Sequence, residues 1–166
     1  MHGMRHFRAI LPPLAVALLA YLAIQSRVPD RLPASSLPRL DGVGELPLHA
    51  SGDLAVVSLW APWCLPCREE LPALHGLAAA TDMPLLGVVY RDAPDRAVRW
   101  LEFYGNPYDA VAIDEQGDRL RTLASEGIPQ LLIVGGDGTI HFRHVGLIGP
   151  EIVARDVLPR LRERSQ

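Results

Sequence analysis

The sequence is short of cysteine, of net charge and of internal repetition, and each shortage limits what the chain can be. Its only two cysteines, Cys64 and Cys67, form one CxxC, so no second CxxC is present to complete a zinc site. The net charge of −3 lacks the basic excess that is typical of nucleic-acid binding. With no internal repeat, the 166 residues suit one domain with an appendage.

The CxxC follows an apolar run and precedes an amphipathic stretch, which predicts a strand-to-helix junction. Two thiols three residues apart at a helix start lie close enough to form a disulfide, and the first would meet free backbone N–H groups. The pattern therefore favours a redox dithiol. A structural disulfide is an alternative, although closing so short a loop would add little to the stability of the folded chain. A zinc site would need two more ligands, and His141 and His144 point to opposite faces of a predicted strand.

The N-terminal segment from Ala9 to Ser26 contains no charged residue. At about 1.5 Å per helical residue it would span about 27 Å, close to the thickness of a bilayer core. Arg5 and Arg8 precede it, which by the positive-inside rule keeps the N-terminus cytoplasmic. We therefore predict a cytoplasmic segment at 1–8, a transmembrane signal anchor at 9–26, a tether at 27–36 and an exported domain at 37–166. A cleaved signal peptide and a buried soluble helix are the alternatives.

The rest of the chain predicts alternating strands and helices. The apolar run from Asp53 to Trp60 predicts a strand buried on both faces, followed by a helix from Cys64 to about Ala80 with a kink at Pro72. The other predicted elements are a hairpin at 40–48, strands at 84–90, 110–113, 130–134 and 139–145, a short polar helix ending near Ser125, and helices at 94–104 and 150–164. This order predicts one α/β domain with a central mixed sheet and helices on both of its faces.

Four short segments occur in the same order as in a known family. They are Trp60–Glu70 around the cysteines, Gly105–Tyr108, Gly127–Pro129 and Arg143–Gly146. Together they resemble the thioredoxin superfamily, and more narrowly the membrane-anchored thiol:disulfide interchange proteins of cytochrome c maturation (DsbE/CcmG type). The similarity runs from about Leu37 to Leu161 and includes the apolar N-terminal run. Two departures are the loop at 124–128 and Gln130, where the family usually has Glu.

The resemblance implies a thioredoxin-like fold in which Cys64 and Cys67 form the redox-active disulfide, with Cys64 as the attacking thiol and Cys67 as the resolving one. Ser58 stands where cytosolic thioredoxins keep a buried acid, so another group must exchange a proton with Cys67. Glu70, one helical turn after Cys67, is the candidate catalytic carboxylate; a solvated helix carboxylate is the alternative. No metal or other cofactor is implied.

The resemblance also implies a substrate-binding rim. Pro129 would be a cis proline that exposes the backbone of Ile128 to a substrate strand, and an ordinary trans proline is the alternative. Trp63 would pack beside Cys64 on the exposed rim, whereas a core position fits Trp60 better.

The implied function is reduction of the haem-attachment disulfide of apocytochrome c during cytochrome c maturation, by dithiol–disulfide exchange. The implied location is the periplasmic face of the inner membrane, held by a single-pass anchor. The implied partners are apocytochrome c, other cytochrome c maturation proteins and a membrane thiol-transfer protein that supplies electrons. Two alternatives remain: a general extracytoplasmic reductase or isomerase partner, and a copper metallochaperone of thioredoxin fold.

Overall fold

The computed structural model describes residues 30–49 and 54–164. The strands among these residues are β1 (Ser36–Pro38), β2 (Glu45–Pro47), β3 (Leu54–Trp60), β4 (Leu85–Tyr90), β5 (Ala110–Asp114), β6 (Gln130–Gly135) and β7 (Ile140–Val145). The last five form one sheet in the order β5-β4-β3-β6-β7. β3, β4 and β5 run parallel, whereas β6 is antiparallel to β3 and β7 to β6. The predicted central mixed sheet is therefore confirmed.

The helices of the described chain pack on one face of this sheet. They are α1 (Leu65–Glu69), α2 (Leu71–Ala80), α3 (Pro94–Tyr104), and a C-terminal helix made of α4 (Pro150–Ile152), a π-helical segment (Val153–Val157) and α5 (Leu158–Arg164). Their buried apolar side chains join Val56, Trp60 and Ile133 in one cluster, which defines the helical face of the sheet. Successive right-handed crossovers from β3 to β4 and from β4 to β5 place α2 and α3 on this same face.

The opposite face of the sheet is covered by the β1–β2 hairpin and a 3₁₀ segment, whereas the sequence predicted an α-helix there. There Val57, Leu59 and Leu132 pack against Leu37 of the β1–β2 hairpin and Leu123, and we call this the hairpin face. Within the described residues the predicted short polar helix is a single 3₁₀ segment, Leu123–Glu126. Gly117, at a φ of 71°, and the polar residues around it turn the chain before an α-helix can begin.

The helix after the cysteines is divided in two. α1 ends at Glu69 and α2 begins at Leu71, with Glu70 between them in a helical backbone conformation. Pro72 lies in the first turn of α2, where its missing N–H removes no intrahelical hydrogen bond. The kink that Pro72 predicts is present, and it lies at Glu70.

Part of the predicted tether packs against the domain. Leu32 donates its N–H to the Gly138 carbonyl, and Ile140 donates to the carbonyl of Asp30. Leu32 and Ala34 also pack on the hairpin face, so residues before the predicted boundary at 37 are part of the packed domain. The predicted anchor at 9–26 lies outside the described residues. Within 30–49 and 54–164, no helix combines the length and the apolar character needed to span a membrane.

Candidate redox site

The two cysteines lie where β3 ends and α1 begins. They form a disulfide with 5.3 Å between their Cα atoms. Cys64 is the N-cap residue of α1, and the Cys67 N–H donates to the Cys64 sulfur at 3.2 Å. This N–H is one of the groups that an α-helix leaves without a partner at its first turn. The position of the predicted dithiol at a strand-to-helix junction is confirmed.

The surface around the disulfide is apolar. Trp63 is 57% exposed and Leu65 is 56% exposed, whereas Cys64 is 5% exposed and Cys67 is 1% exposed. Both cysteines are therefore buried in the disulfide form, and Cys64 is the slightly more exposed of the two. The Trp63 indole N–H donates to the Arg91 carbonyl at 3.2 Å, which holds this ring at the rim. Trp60, by contrast, is fully buried.

The loop before β6 reaches the same end of the sheet. The Ile128–Pro129 peptide bond is cis. Gln130 pairs with Leu59 in the β3–β6 ladder, so Pro129 lies level with Trp60, at the end of β3 from which the CxxC segment starts. Ile128 packs against the cluster that contains Cys64 and Cys67. The structure therefore places Ile128 and Pro129 at the sheet end that carries the cysteines.

Glu70 is a buried carboxyl group behind the cysteines. It is 3% exposed, so the alternative of a solvated helix carboxylate is wrong. Burial raises the pKa of Glu70 to about 8, and a hydrogen bond from the backbone N–H of Ile148 opposes that rise. An ordinary thiol has a pKa of about 8.5, so proton exchange between Glu70 and a thiol would be nearly balanced in energy.

A second buried polar group, formed by Tyr108 and Ser58, lies close enough to Glu70 for the Glu70 charge to act on it. The hydroxyl groups of Tyr108 and Ser58 are 3.3 Å apart and share a hydrogen bond. Burial raises the pKa of Tyr108 above its ordinary value, the Ser58 bond lowers it, and the charge of Glu70 raises it further. Tyr108 therefore stays neutral beside the Glu70 carboxyl group. Its ring stacks on Trp60, with 5.8 Å between centroids.

This tyrosine was not identified as a site residue from the sequence, although a signal was present. Gly87 interrupts the apolar strand β4, and a glycine inside a strand often marks a close approach by another group. Here a Cβ on Gly87 would lie 2.8 Å from a ring carbon of Tyr108 and 3.0 Å from the Trp60 indole nitrogen. Because Gly87 has no side chain, the Tyr108 ring can pack directly against β4 at this position.

We expect Gly87→Ala to lower the free energy of unfolding by about 1–3 kcal/mol, because the new methyl group forces the Tyr108 ring out of its site. Urea denaturation measures this change. Gly76→Ala is the matched control: no heavy atom lies within 4 Å of its added Cβ. Gly76 is exposed within α2, where alanine is the better helix former by about 1 kcal/mol. Equal shifts in the two variants would contradict the packing argument.

The structure thus brings Cys64, Cys67, Trp63, Ile128 and Pro129 to one end of the sheet, with Glu70 buried directly after α1. A disulfide at a helix start with an apolar rim and a buried acid is suited to thiol–disulfide exchange. Such a site needs no metal to react.

Comparison with known proteins identifies thiol:disulfide interchange proteins among the relatives of this chain. The chain is 33% identical over 154 residues to the thiol:disulfide interchange protein DsbE of Pseudomonas fluorescens biotype C, covering 87% of this chain and 85% of that protein. It is 42% identical over 95 residues to the thiol:disulfide interchange protein CycY of Rhizobium leguminosarum bv. viciae, covering 57% of this chain. The chain spans about half of the CycY protein, 51%, and 61% of two further DsbE relatives.

A solved structure agrees with these relatives. The crystal structure of a Chlorobium tepidum protein that carries the name thiol:disulfide interchange protein DsbE superposes with a TM-score of 0.67 at 26% identity. The superposition covers 80% of this chain and 96% of that one. No protein-family model matches the chain.

Proposed function

Because the chain belongs to the DsbE family of thiol:disulfide interchange proteins, we propose that it is a protein-disulfide reductase that acts on the haem-attachment disulfide of apocytochrome c. The observation that carries this proposal is the Cys64–Cys67 disulfide at the start of α1, bordered by an exposed tryptophan and a cis proline loop. The segments at 105–108 and 143–146, which resemble the cytochrome c maturation subfamily, support the choice of substrate.

The reaction begins with both cysteines reduced. The Cys64 thiolate, stabilised by the Cys67 N–H, attacks one sulfur of the substrate disulfide; that disulfide breaks, and the displaced substrate thiolate takes up a proton. The Cys67 thiol then loses its proton and attacks Cys64 in the mixed disulfide. This step releases the second substrate sulfur as a thiol. Two electrons pass from the enzyme dithiol to the substrate, and the Cys64–Cys67 disulfide seen here is the product form.

We propose that Glu70 accepts the proton that the Cys67 thiol loses in the resolving step. Its pKa of about 8 lets it accept a proton from a thiol and return it without a large energy difference. The N–H of Ile148 holds the carboxyl group in place, and Tyr108 lies close enough for the Glu70 charge to affect it. Glu70, at the end of α1, would therefore do the work of the buried acid that cytosolic thioredoxins keep at the position of Ser58.

Substrate binding is assigned to the rim. Trp63 and Leu65 offer exposed apolar surface beside the disulfide. The backbone of Ile128, before the cis bond to Pro129, would pair with an extended substrate segment and bring its cysteine to Cys64. The Pro129 carbonyl already accepts the N–H of Gly146, the residue directly after β7, so the backbone on the other side of the loop is held there.

We place this domain on the periplasmic side of the inner membrane, held by the uncharged segment at 9–26. An exported dithiol tends to become oxidised, so turnover would require a membrane thiol-transfer protein as electron donor. A reporter enzyme that is active only after export, fused behind Gln166, tests this orientation. If a reporter that works only in the cytoplasm is active at the same position, the domain lies in the cytoplasm and the proposed orientation is wrong.

The substrate assignment predicts selectivity for the haem-attachment sequence. The reduced full-length chain should reduce an oxidised Cys-x-x-Cys-His peptide at least about tenfold faster than a peptide with the same two cysteines spaced further apart. Stopped-flow tryptophan fluorescence measures both rates. Equal rates would favour a general extracytoplasmic reductase, and absence of reaction with either peptide would remove the proposed activity.

A further inference from the structure

The loop that leads to the cis proline is held by two side chains from the hairpin face. Gln130, the first residue of β6, donates from its amide nitrogen to the Leu123 carbonyl at 3.0 Å and to the Gly127 carbonyl at 2.6 Å. Arg143 of β7 donates to the same Leu123 carbonyl at 2.8 Å and to the Glu126 carboxylate at 3.2 Å. The segment 123–127 is therefore tied to the sheet at three of its residues.

The two side chains are also joined to each other. The Arg143 Nε donates to the amide oxygen of Gln130 at 3.0 Å. Gln130 is 1% exposed, and the Arg143 side chain is 12% exposed. A guanidinium so far removed from water is stabilised by its three acceptors, which are the Gln130 amide, the Leu123 carbonyl and the Glu126 carboxylate.

The Gln130 amide is matched to the groups that surround it in this chain. Its nitrogen faces two carbonyl oxygens and its oxygen faces a guanidinium, so both ends are used. An ionised carboxylate at residue 130 would turn an oxygen toward those carbonyls, and an apolar side chain would leave them without these donors.

This network ends one residue before the proposed substrate-pairing backbone. Gly127, whose φ is 99°, directly precedes Ile128. The Gln130 amide holds the Gly127 carbonyl, and so it fixes the orientation of the peptide unit that joins Gly127 to Ile128. A change at Gln130 would rotate the edge that faces the substrate without touching either cysteine.

We propose that Gln130 and Arg143 are positioning residues that set the preference of the site for peptide disulfides over small ones. The proposal rests on the proposed function, because it requires substrates to pair with the Ile128 backbone. A peptide disulfide uses that backbone, whereas a small disulfide needs only access to Cys64. The expected signature is therefore a change in the ratio of the two reaction rates.

The test compares Gln130→Glu with the wild type, both as reduced full-length chains. Stopped-flow measurements give the second-order rate constants for an oxidised Cys-x-x-Cys peptide and for the small aromatic disulfide 5,5′-dithiobis(2-nitrobenzoate). We expect the ratio of peptide rate to small-disulfide rate to fall about tenfold in Gln130→Glu, the effect of losing a buried hydrogen bond. Gln116→Glu makes the same chemical change at an exposed residue and should leave the ratio within about twofold.

Arg143→Lys keeps the test decisive if Gln130→Glu does not fold. A lysine ammonium retains the charge but cannot present the planar fork that reaches all three acceptors. It should lower the same ratio by about threefold to tenfold. An unchanged ratio in these variants, or a ratio that falls equally in Gln116→Glu, overturns the inference. A wild type that reacts with neither disulfide would instead overturn the proposed function.

Discussion

Cys64→Ser should abolish turnover and should trap no substrate, because it removes the sulfur that attacks the substrate disulfide. A serine hydroxyl is far less acidic than a thiol, so no comparable nucleophile forms at neutral pH. The structure supports this role through the Cys67 N–H, which points at the Cys64 sulfur, and through the exposed rim at Trp63 and Leu65. We expect multiple-turnover reduction of an oxidised peptide to fall below detection.

Cys67→Ser should fail at the next step. Cys64 can still attack, but no second thiol is present to resolve the mixed disulfide, so the enzyme–substrate adduct should accumulate. Non-reducing electrophoresis after mixing with an oxidised Cys-x-x-Cys-His peptide measures the adduct, and dithiothreitol should release it. Trapping to the same extent by Cys64→Ser and Cys67→Ser would contradict the assignment of roles. Normal cytochrome c assembly in cells that carry only Cys64→Ser would remove the proposed pathway and leave general thiol reduction.

The sequence predicted those parts of the fold whose signals are local. The continuous apolar run of β3 and the CxxC at its end sufficed to place the disulfide at a strand-to-helix junction. The helix break at Glu70 was predicted from Pro72, because proline is tolerated in the first turn of a helix but not in its interior. The cis bond at Pro129 came from family resemblance, since the statistics of X–Pro bonds alone favour trans.

What the sequence did not predict depends on contacts between distant segments. Glu70 is charged and lies next to the exposed Glu69, so its burial follows only once the loop at Ile148 is seen to close over it. Gln130 and Arg143 are 13 residues apart and meet because β6 and β7 pair with each other. The short polar helix predicted before Ser125 differs for another reason: so short a polar segment carries little helical periodicity, and it forms a single 3₁₀ segment.

Glu70→Gln should slow the resolving step by about 10²-fold, because it removes the group that accepts the Cys67 proton. The amide keeps the shape of the side chain and can still accept the Ile148 N–H, so packing should be retained. Single-turnover release of product from the preformed mixed disulfide isolates this step. Glu69→Gln, one residue earlier on the exposed surface, should release product at the wild-type rate. A normal release rate in Glu70→Gln would remove the carboxyl group from the mechanism.

The same substitution should also change how stability depends on pH. The Glu70 pKa is raised from 4.5 to about 8 in the folded chain, so the folded state keeps a proton that the unfolded state releases between these values. The free energy of unfolding should therefore fall as pH rises from about 5 to about 8, by on the order of 4 kcal/mol from this group. Glu70→Gln should lose that slope and become more stable than the wild type at pH 8, whereas Glu69→Gln should keep it. Urea denaturation of the disulfide form at several pH values measures the slopes. Parallel pH profiles for the wild type and Glu70→Gln would show that the buried carboxyl group titrates in its ordinary range.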